Sequence, residues 1–372
     1  MRSIRRILVV QPYGIGDALF TTPLLRSLRA LPTVESVDLL LGSRTEAVFK
    51  NNPHVDQILS IDKGEWHALN RQELKKEILS LWRSLRGRYD LLVDFSLQRE
   101  YGFYGQFFLR IPRRIGFNFK NRGLFLSRSL PLPQGFLDTH VIDFYCGLGE
   151  LLGLRIEERF PEFYLSEEDR TKASELLTAK NFPVSNRFLA VAPGGGESWG
   201  KDAHFKRWPV PFFVEMISLL RERVDFGGIL IFGSEGEKPL GEEIAKNHSL
   251  PVLNLAGELP LGVTAALLEK AGLFLANDGG LVHLAHALHV PLIALYGPVD
   301  PRVYGPYPSS PEAVAITREK LPCRPCYSNF RYNSACVDRE CLTALPPREV
   351  LGFLDKKNFW QVLCRENSYS AF

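Results

Sequence analysis

ILVVQPYGIGDALFTTPLLRSLR, residues 7–29, changes its apolar period halfway along. Residues 7–10 are an uninterrupted apolar run of the kind that makes a buried strand, and over 19–31 the apolar residues recur at helix spacing. Between them stand Gly14, Gly16 and Asp17. Strand, glycine turn and helix in that order open a βαβ unit, in which the next strand runs parallel to the first.

The alternation continues outward from this stretch. Strands are expected at 37–41, 57–61 and 91–95, with a helix over 73–85; a second series follows, with strands at 188–192, 228–232, 252–254, 273–276 and 292–296. Helices fall between them near 211–223, 238–246, 263–271 and 281–288. The fold class is therefore α/β, with two parallel sheets carrying helices on both faces. A length of 372 residues suits two cores at roughly 150 residues each. The division expected is 1–170, 171–345 and a closing segment 346–372, with the boundary near the polar stretch 165–187. In the closing segment Leu351, Leu354, Trp360 and Leu363 stand at near-helical spacing, which predicts a helix that returns to brace the first domain.

Composition excludes several classes. Hydrophobic residues make up 45% and charged residues 23%, ordinary for a globular protein and far from disorder. The apolar run 7–10 is broken at Gln11, short of the about 7–15 residues of a signal-peptide core. No stretch approaches the roughly 18 apolar residues of a membrane helix. A cytoplasmic protein that meets a membrane only at its surface is expected, and a net charge of +3 gives no sign of a nucleic-acid partner.

Charge is concentrated in one place. Between 99 and 128 lie Arg99, Arg110, Arg113, Arg114, Lys120, Arg122 and Arg128 against the single acid Glu100, interleaved with Phe103, Tyr104, Phe107, Phe108, Phe117, Phe119 and Phe125. Such a segment suits anionic headgroups or phosphorylated sugars, which makes Arg113, Arg114, Lys120 and Arg122 candidate acceptor contacts. It equally suits a flap whose arginines cover aromatic core.

Three glycine turns follow strands. In the first, a dinucleotide fingerprint would require glycine at position 19, which is Leu19, so a nicotinamide or flavin site is disfavoured. Gly14 and Gly16 line the turn, and Asp17 is either a general base or a helix N-cap. The second, Gly194-Gly195-Gly196, lets backbone N–H groups approach an anion, with Lys206 or Arg207 available to offset a diphosphate; a plain flexible loop is the alternative. The third, Asp278-Gly279-Gly280, leads into a helix whose first-turn N–H groups lack partners and favour negative charge. Asp278 would accept from sugar hydroxyls or cap that helix, and His283 would donate to a phosphate or fill a structural role.

Glycosyl transfer requires a base for the acceptor hydroxyl and stabilisation of the leaving diphosphate. Asp17 on one domain, and Lys206 with the glycine turns on the other, would divide these tasks across a cleft. The chain has no Asp-x-Asp to cage a divalent metal, so cationic side chains would carry the charge. Of the six cysteines, Cys323, Cys326, Cys336 and Cys341 could form a four-thiolate structural site, although their gaps lack paired-knuckle spacing; inert buried thiols are the other reading.

In this order ILVVQPYGIGDALFTTPLLRSLR, RRIGF at 113–117, VAPGGGESWGKDAHFKRWP, IFGSEGE, ANDGGLVHLAHAL, ALYGPVDPRVYGPY and CRPC at 323–326 make the chain resemble glycosyltransferase family 9, the heptosyltransferases of lipopolysaccharide core assembly. The resemblance spans nearly the whole length. It implies the GT-B fold, two facing Rossmann-like domains, and an inverting, metal-independent transfer from a nucleotide sugar, ADP-heptose by default, with no cofactor required. The acceptor implied is an anionic lipid-linked saccharide at the inner face of the bacterial inner membrane. By position, Asp17 matches the family's base, Lys206 the lysine at the donor diphosphate, Asp278, Gly279, Gly280 and His283 the donor turn, and Glu237 a ribose-binding acid. Where the family commonly has Thr or Ser after the aspartate, this chain has Gly279. A sugar-nucleotide epimerase would have no use for the segment 99–128, and a non-catalytic sugar-nucleotide or lipid-saccharide binding protein would have no use for Asp17 beyond capping.

Overall fold

The computed structural model describes residues 3–61, 70–183, 187–196 and 198–366, and the chain divides into two compact units, Met1–Tyr164 and Leu165–Phe372. The first unit runs β1 (Arg6–Gln11), α1 (Ile15–Phe20), α2 (Thr22–Arg29), β2 (Ser36–Gly42), β3 (Gln57–Ile61), α3 (Arg71–Leu85), β4 (Leu91–Asp94), α4 (Arg99–Phe107), β5 (Arg113–Asn118), β6 (Arg128–Pro131) and α5 (Val141–Glu150). Its sheet is parallel throughout, in the order β3-β2-β1-β4-β5-β6.

The second unit repeats the plan: α6 (Glu167–Ala179), β7 (Leu189–Ala192), α7 (Val210–Arg221), β8 (Ile229–Ile231), α8 (Lys238–Ala245), β9 (Val252–Asn254), α9 (Leu261–Glu269), β10 (Leu273–Asn277), α10 (Gly280–Ala287), β11 (Leu292–Tyr296), β12 (Ala313–Thr317), α11 (Pro347–Lys356) and α12 (Phe359–Glu366). Its sheet order is β12-β11-β10-β7-β8-β9, again all parallel. Helices cover both faces of such a sheet, so its central strands must be apolar on both sides. Every residue of β7, β10 and β11 is buried.

Local chemistry sets the ends of the elements. The helix expected from 19 to 31 begins four residues earlier, at Ile15, and breaks at Thr21. Pro23 has no N–H for the carbonyl of Leu19 four residues back. The Thr22 hydroxyl donates to that carbonyl instead, at 2.7 Å, and the Thr21 hydroxyl donates to Ala18 O at 2.6 Å. At α3, Asn70 accepts from the N–H groups of Gln72 and Glu73, and the Glu73 carboxylate accepts from Asn70 N, a reciprocal cap.

Two expectations about organisation change. A boundary between 170 and 171 would cut α6, but Arg170 donates to both carboxylate oxygens of Glu269 on α9, at 3.0 and 2.8 Å, and the whole helix belongs to the second unit. The closing segment was expected against the first domain. Its buried residues Val350, Leu354, Phe359 and Leu363 instead join Trp208, Phe213, Met216 and Ile217 in the second unit's core. The apolar stripe of α11 finds its match on α7, and the indole N–H of Trp208 donates to Leu345 O at 2.8 Å just ahead of it. Leu354 is fully buried there, so Leu354→Ala should lower the unfolding free energy by about 2–5 kcal/mol, measured by urea titration of the full chain. A loss within a few tenths of a kcal/mol would show that α11 is not part of this core.

Candidate functional site

In each sheet the strand order reverses once, between β1 and β4 in the first and between β7 and β10 in the second. The connections leave such neighbours toward opposite faces, which opens a crevice at their carboxyl ends where α/β proteins bind ligands. The loops that follow these four strands carry most of the candidate residues.

In the second unit the Gly194–Gly196 loop follows β7 and the Asp278–Gly280 turn follows β10. Their approach leaves no room for side chains. A Cβ on Gly194 would stand 1.9 Å from the Glu237 carboxyl carbon, and one on Gly279 would stand 2.7 Å from Gly195 O. Gly195 has φ +85, open to glycine at little cost. Asn277 ties the two strand ends together: its amide donates to Pro193 O at 2.6 Å, and its Oδ1 accepts from Trp208 N at 3.1 Å.

Lys206, at the end of the 3-10 turn Gly200–Lys206, sets its Nζ 3.0 Å from Asp278 Oδ2, with both residues 5% exposed. The same ammonium lies 5.4 Å from the centre of the Trp199 ring. The position of Asp278 settles one of its two expected roles. It does not cap α10, whose N-cap is Gly279 with no side-chain hydrogen bond, and its carboxylate is held by Lys206. Lys206 in turn is a paired cation. Gly280 is the first residue of α10, and His283 is buried in the same helix.

Glu237 lies against the same glycine loop. It is 3% exposed; Oε1 accepts from Gly196 N at 2.9 Å and Oε2 from Ser234 N at 2.9 Å. This carboxylate braces the glycine loop. Arg207, with Nε donating to Gly194 O at 3.1 Å and NH2 3.8 Å from Glu237 Oε1, holds the loop from the other side while keeping a quarter of its side chain exposed.

In the first unit Gln11 is fully buried at the end of β1. Its Oε1 accepts from Tyr13 N at 3.3 Å and its Nε2 donates to Asp17 O at 3.2 Å, so one side chain brackets the Gly14–Gly16 turn. Gly14 is the N-cap of α1, without a side-chain hydrogen bond, and Asp17 lies half-buried in the first turn. Asp17 is thus the third residue of α1 and not its N-cap. Across the strand reversal, the Tyr13 hydroxyl donates to Ser96 O, and Ser96 N donates to Asp94 Oδ1 at 2.8 Å. Burial, reinforced by Asp17 and Asp94, pushes the Tyr13 hydroxyl well above its usual range.

Of the candidate acceptor cations, Arg114 is used internally. Its guanidinium donates to the carbonyls of Phe125 at 2.7 Å and Ile111 at 2.5 Å, so it ties β5 to the turn that follows. Arg113 lies half-buried on β5. Lys120 and Arg122 are exposed over the Phe119 ring at 4.8 and 5.5 Å, and Arg122 NH1 donates to Leu97 O at 3.4 Å, one residue from Ser96.

The cysteines form neither a metal cage nor a uniformly buried set. Among the described residues no three His, Cys, Asp or Glu side chains are placed to hold a metal ion. Cys323 is exposed, Cys326 and Cys336 are half-buried, and Cys341 is buried in the core, where desolvation pushes its thiol up to about 11. The Cys364 side chain lies outside the described residues.

The fold can be matched to known structures. E. coli ADP-heptose lipopolysaccharide heptosyltransferase II superposes with a TM-score of 0.70 at 22% identity, over 97% of this chain and 99% of that one. This is the GT-B class of glycosyltransferase architecture, built from two Rossmann-like domains. The family model of glycosyltransferase family 9 (heptosyltransferase) matches residues 78–332. The chain belongs to that family and is a glycosyl-transferring enzyme. Among its relatives, lipooligosaccharide heptosyltransferase 2 of Haemophilus ducreyi is 25% identical over 331 residues, 84% of this chain and 88% of that protein. Lipopolysaccharide heptosyltransferase 2 of Escherichia coli K12 is 28% identical over 304 residues, 80% of this chain and 84% of that protein.

Asp94, Tyr13 and Gln11 had no assigned place in the site from sequence. The signal for Asp94 was a carboxylate closing a strand otherwise made of Leu and Val. Burial pushes its carboxyl from 3.8 up to about 6 against the lowering effect of the Ser96 hydrogen bonds, and Glu100 adds to the rise. A folded-state value above the unfolded one means the native protein holds this proton more tightly. That contribution to stability is complete below 3.8 and lost as pH rises through about 6. Asp94→Asn keeps the acceptor for Ser96 N and removes the titration. It should raise stability at neutral pH by up to about 3 kcal/mol and flatten the fall in Tm between mildly acidic and neutral pH. An unchanged pH profile would assign that slope to another group.

Proposed function

We propose that this enzyme moves a heptose from a nucleotide-activated donor, ADP-heptose by default, to an anionic, lipid-linked saccharide of the lipopolysaccharide core, in a single inverting displacement without a metal ion. The observation that carries the reading is the meeting of the Gly194–Gly196 loop, Lys206 and the Asp278–Gly280 turn at the strand reversal of the second sheet. Backbone N–H groups at a helix start, with a buried cation beside them, suit a diphosphate.

Asp17 takes the proton of the acceptor hydroxyl as that oxygen attacks the anomeric carbon from the face opposite the donor diphosphate. The bond to the leaving oxygen breaks, the configuration inverts, and the electron pair goes to the nucleoside diphosphate. The N–H groups of the glycine turns and the Lys206 ammonium stabilise the charge developing there. Because Lys206 is already paired with Asp278, the pair presents little net charge. Arg207 supplies the additional cation, and His283 donates from the first turn of its helix. Gly14 and Gly16 keep the approach to Asp17 open, and Arg113, Lys120 and Arg122 meet the anionic acceptor. The relatives named above carry heptosyltransferase names, which supports heptose as the sugar and the lipopolysaccharide core as the acceptor. No helix among the described residues is long and apolar enough to cross a membrane. In this reading the enzyme meets its lipid-linked acceptor from the cytoplasmic side, as a peripheral protein on the inner face of the inner membrane, which the lipooligosaccharide and lipopolysaccharide heptosyltransferase names of its relatives support.

Calorimetry and thermal shift with ADP-heptose, and with GDP- and UDP-sugars for comparison, test the donor. ADP-heptose should bind and raise Tm; binding only of another nucleotide sugar would change the donor, and binding of none would remove the reading. Asp17→Asn should lower kcat by at least about a hundredfold while donor affinity stays within twofold. Undiminished turnover in that variant would exclude Asp17 as the base.

A further inference from the structure

Among the described residues five large apolar side chains are exposed, and four of them fall between 103 and 124: Phe103 at 37%, Phe107 at 52%, Phe108 at 37% and Leu124 at 73%. They belong to one surface. The Phe103 ring lies 5.0 Å from Phe107, 6.0 Å from Phe108 and 5.2 Å from Phe125, and Phe107 lies 5.8 Å from Phe125. Leu124 and Phe125 end the 3-10 turn Arg122–Phe125, which packs on α4. The close approach is possible because α4 has glycine at the contact: a Cβ on Gly102 would sit 3.3 Å from the Phe125 Cβ. Beneath the patch, Tyr104 stacks on Trp82 at 4.8 Å, so the platform is anchored in the first unit's core.

Scattered exposed apolar residues need no explanation, but a contiguous aromatic patch on a folded surface does. Its border settles what it fits. Arg99, Arg110, Lys120 and Arg122 are all exposed around it, and Glu100 is the only acid from 99 to 128. Aromatic rings prefer the boundary between headgroups and acyl chains, and cations beside them prefer anionic headgroups. A protein partner would be expected to bring acids for the rim and a hydrophobic core of its own, and outside this patch Val337 is the one exposed large apolar side chain among the described residues.

We propose that the α4 helix and the Arg122–Phe125 turn form a docking surface for an anionic lipid bilayer, with Phe103, Phe107, Phe108 and Leu124 entering the interface and Arg99, Arg110, Lys120 and Arg122 meeting the headgroups. The surface adjoins the Asp17 site directly. Arg122 donates to Leu97 O, and one residue earlier Ser96 O holds the Tyr13 hydroxyl of the loop that leads into α1, the helix of Asp17. Docking takes its purpose from the transfer proposed above, since a lipid-linked acceptor is met only at such a surface.

The test is co-sedimentation of the full chain with vesicles of equal parts phosphatidylglycerol and phosphatidylcholine, and with vesicles of phosphatidylcholine alone. Wild type should bind the mixed vesicles and bind neutral ones far more weakly. Phe107→Ser with Leu124→Ser should lose binding while keeping its Tm and its turnover of a delipidated, water-soluble acceptor. Arg99→Gln with Arg110→Gln should weaken binding to mixed vesicles by about 25-fold, at about fivefold per cation. Equal binding of wild type and the Phe107/Leu124 variant would overturn the proposal, as would wild type that binds neither vesicle. A wild-type dimer in sedimentation velocity that the variant abolishes would assign the patch to a second copy of the chain and also overturn it. Vesicle binding that depends on these residues, in a protein that binds no nucleotide sugar, would leave the docking surface standing and remove the transferase reading.

Discussion

A parallel sheet whose strand order reverses once must send the connections of two neighbouring strands to opposite faces, and both units of this chain obey that constraint at equivalent places. Between β1 and β4, and between β7 and β10, no crossover covers the strand ends. What the chain places in these gaps decides its chemistry. In the first unit the gap receives a half-buried carboxylate, Asp17, on a turn held at both ends by Gln11. In the second it receives two glycine turns in backbone contact, with a buried cation. One architecture thus carries a half-buried carboxylate at the gap in one copy and two close glycine turns with a buried ion pair in the other.

The electrostatics of the second gap are balanced within the protein. Burying a lysine alone would be costly, and Asp278 at 3.0 Å compensates it before any ligand arrives. The same reasoning accounts for Glu237. A carboxylate 3% exposed survives because two backbone N–H groups and a distant guanidinium satisfy it. The site therefore exists preformed, with ordered amides and few uncompensated charges.

The inner strands were legible because a sheet covered on both faces writes itself as continuous apolar runs; the expected 292–296 coincides with β11, and the expected 57–61 and 252–254 coincide with β3 and β9, which end their sheets. The last two strands of the first sheet, β5 and β6, did not announce themselves. β5 begins with two arginines and β6 ends in proline, since both lie away from the buried centre and carry side chains with other duties. The destination of the closing helices was misread because periodicity gives a face, while the surface that face meets is a tertiary matter. The glycine turns, Asp17 and Lys206 could be picked out by residue type and position. The partners of those residues could not: Asp94 meeting Ser96, Lys206 meeting Asp278 and Arg114 meeting the Phe125 carbonyl depend on segments the sequence reading did not connect. The family resemblance supplied the class of enzyme where spacing alone left Asp17 between base and cap.

The contact between Gly194 and Glu237 has a consequence for anyone who would move this site. The carboxyl group occupies the space a side chain at 194 would need, while its oxygens hold Gly196 and Ser234. The loop after β7 and the turn after β8 are thus two halves of one part. A graft of the triple glycine into another scaffold, or a chimera with a crossover between 196 and 234, would carry the shape of the cradle without the brace that gives it that shape. In a recombination library of such enzymes, these two segments should be inherited as a single block.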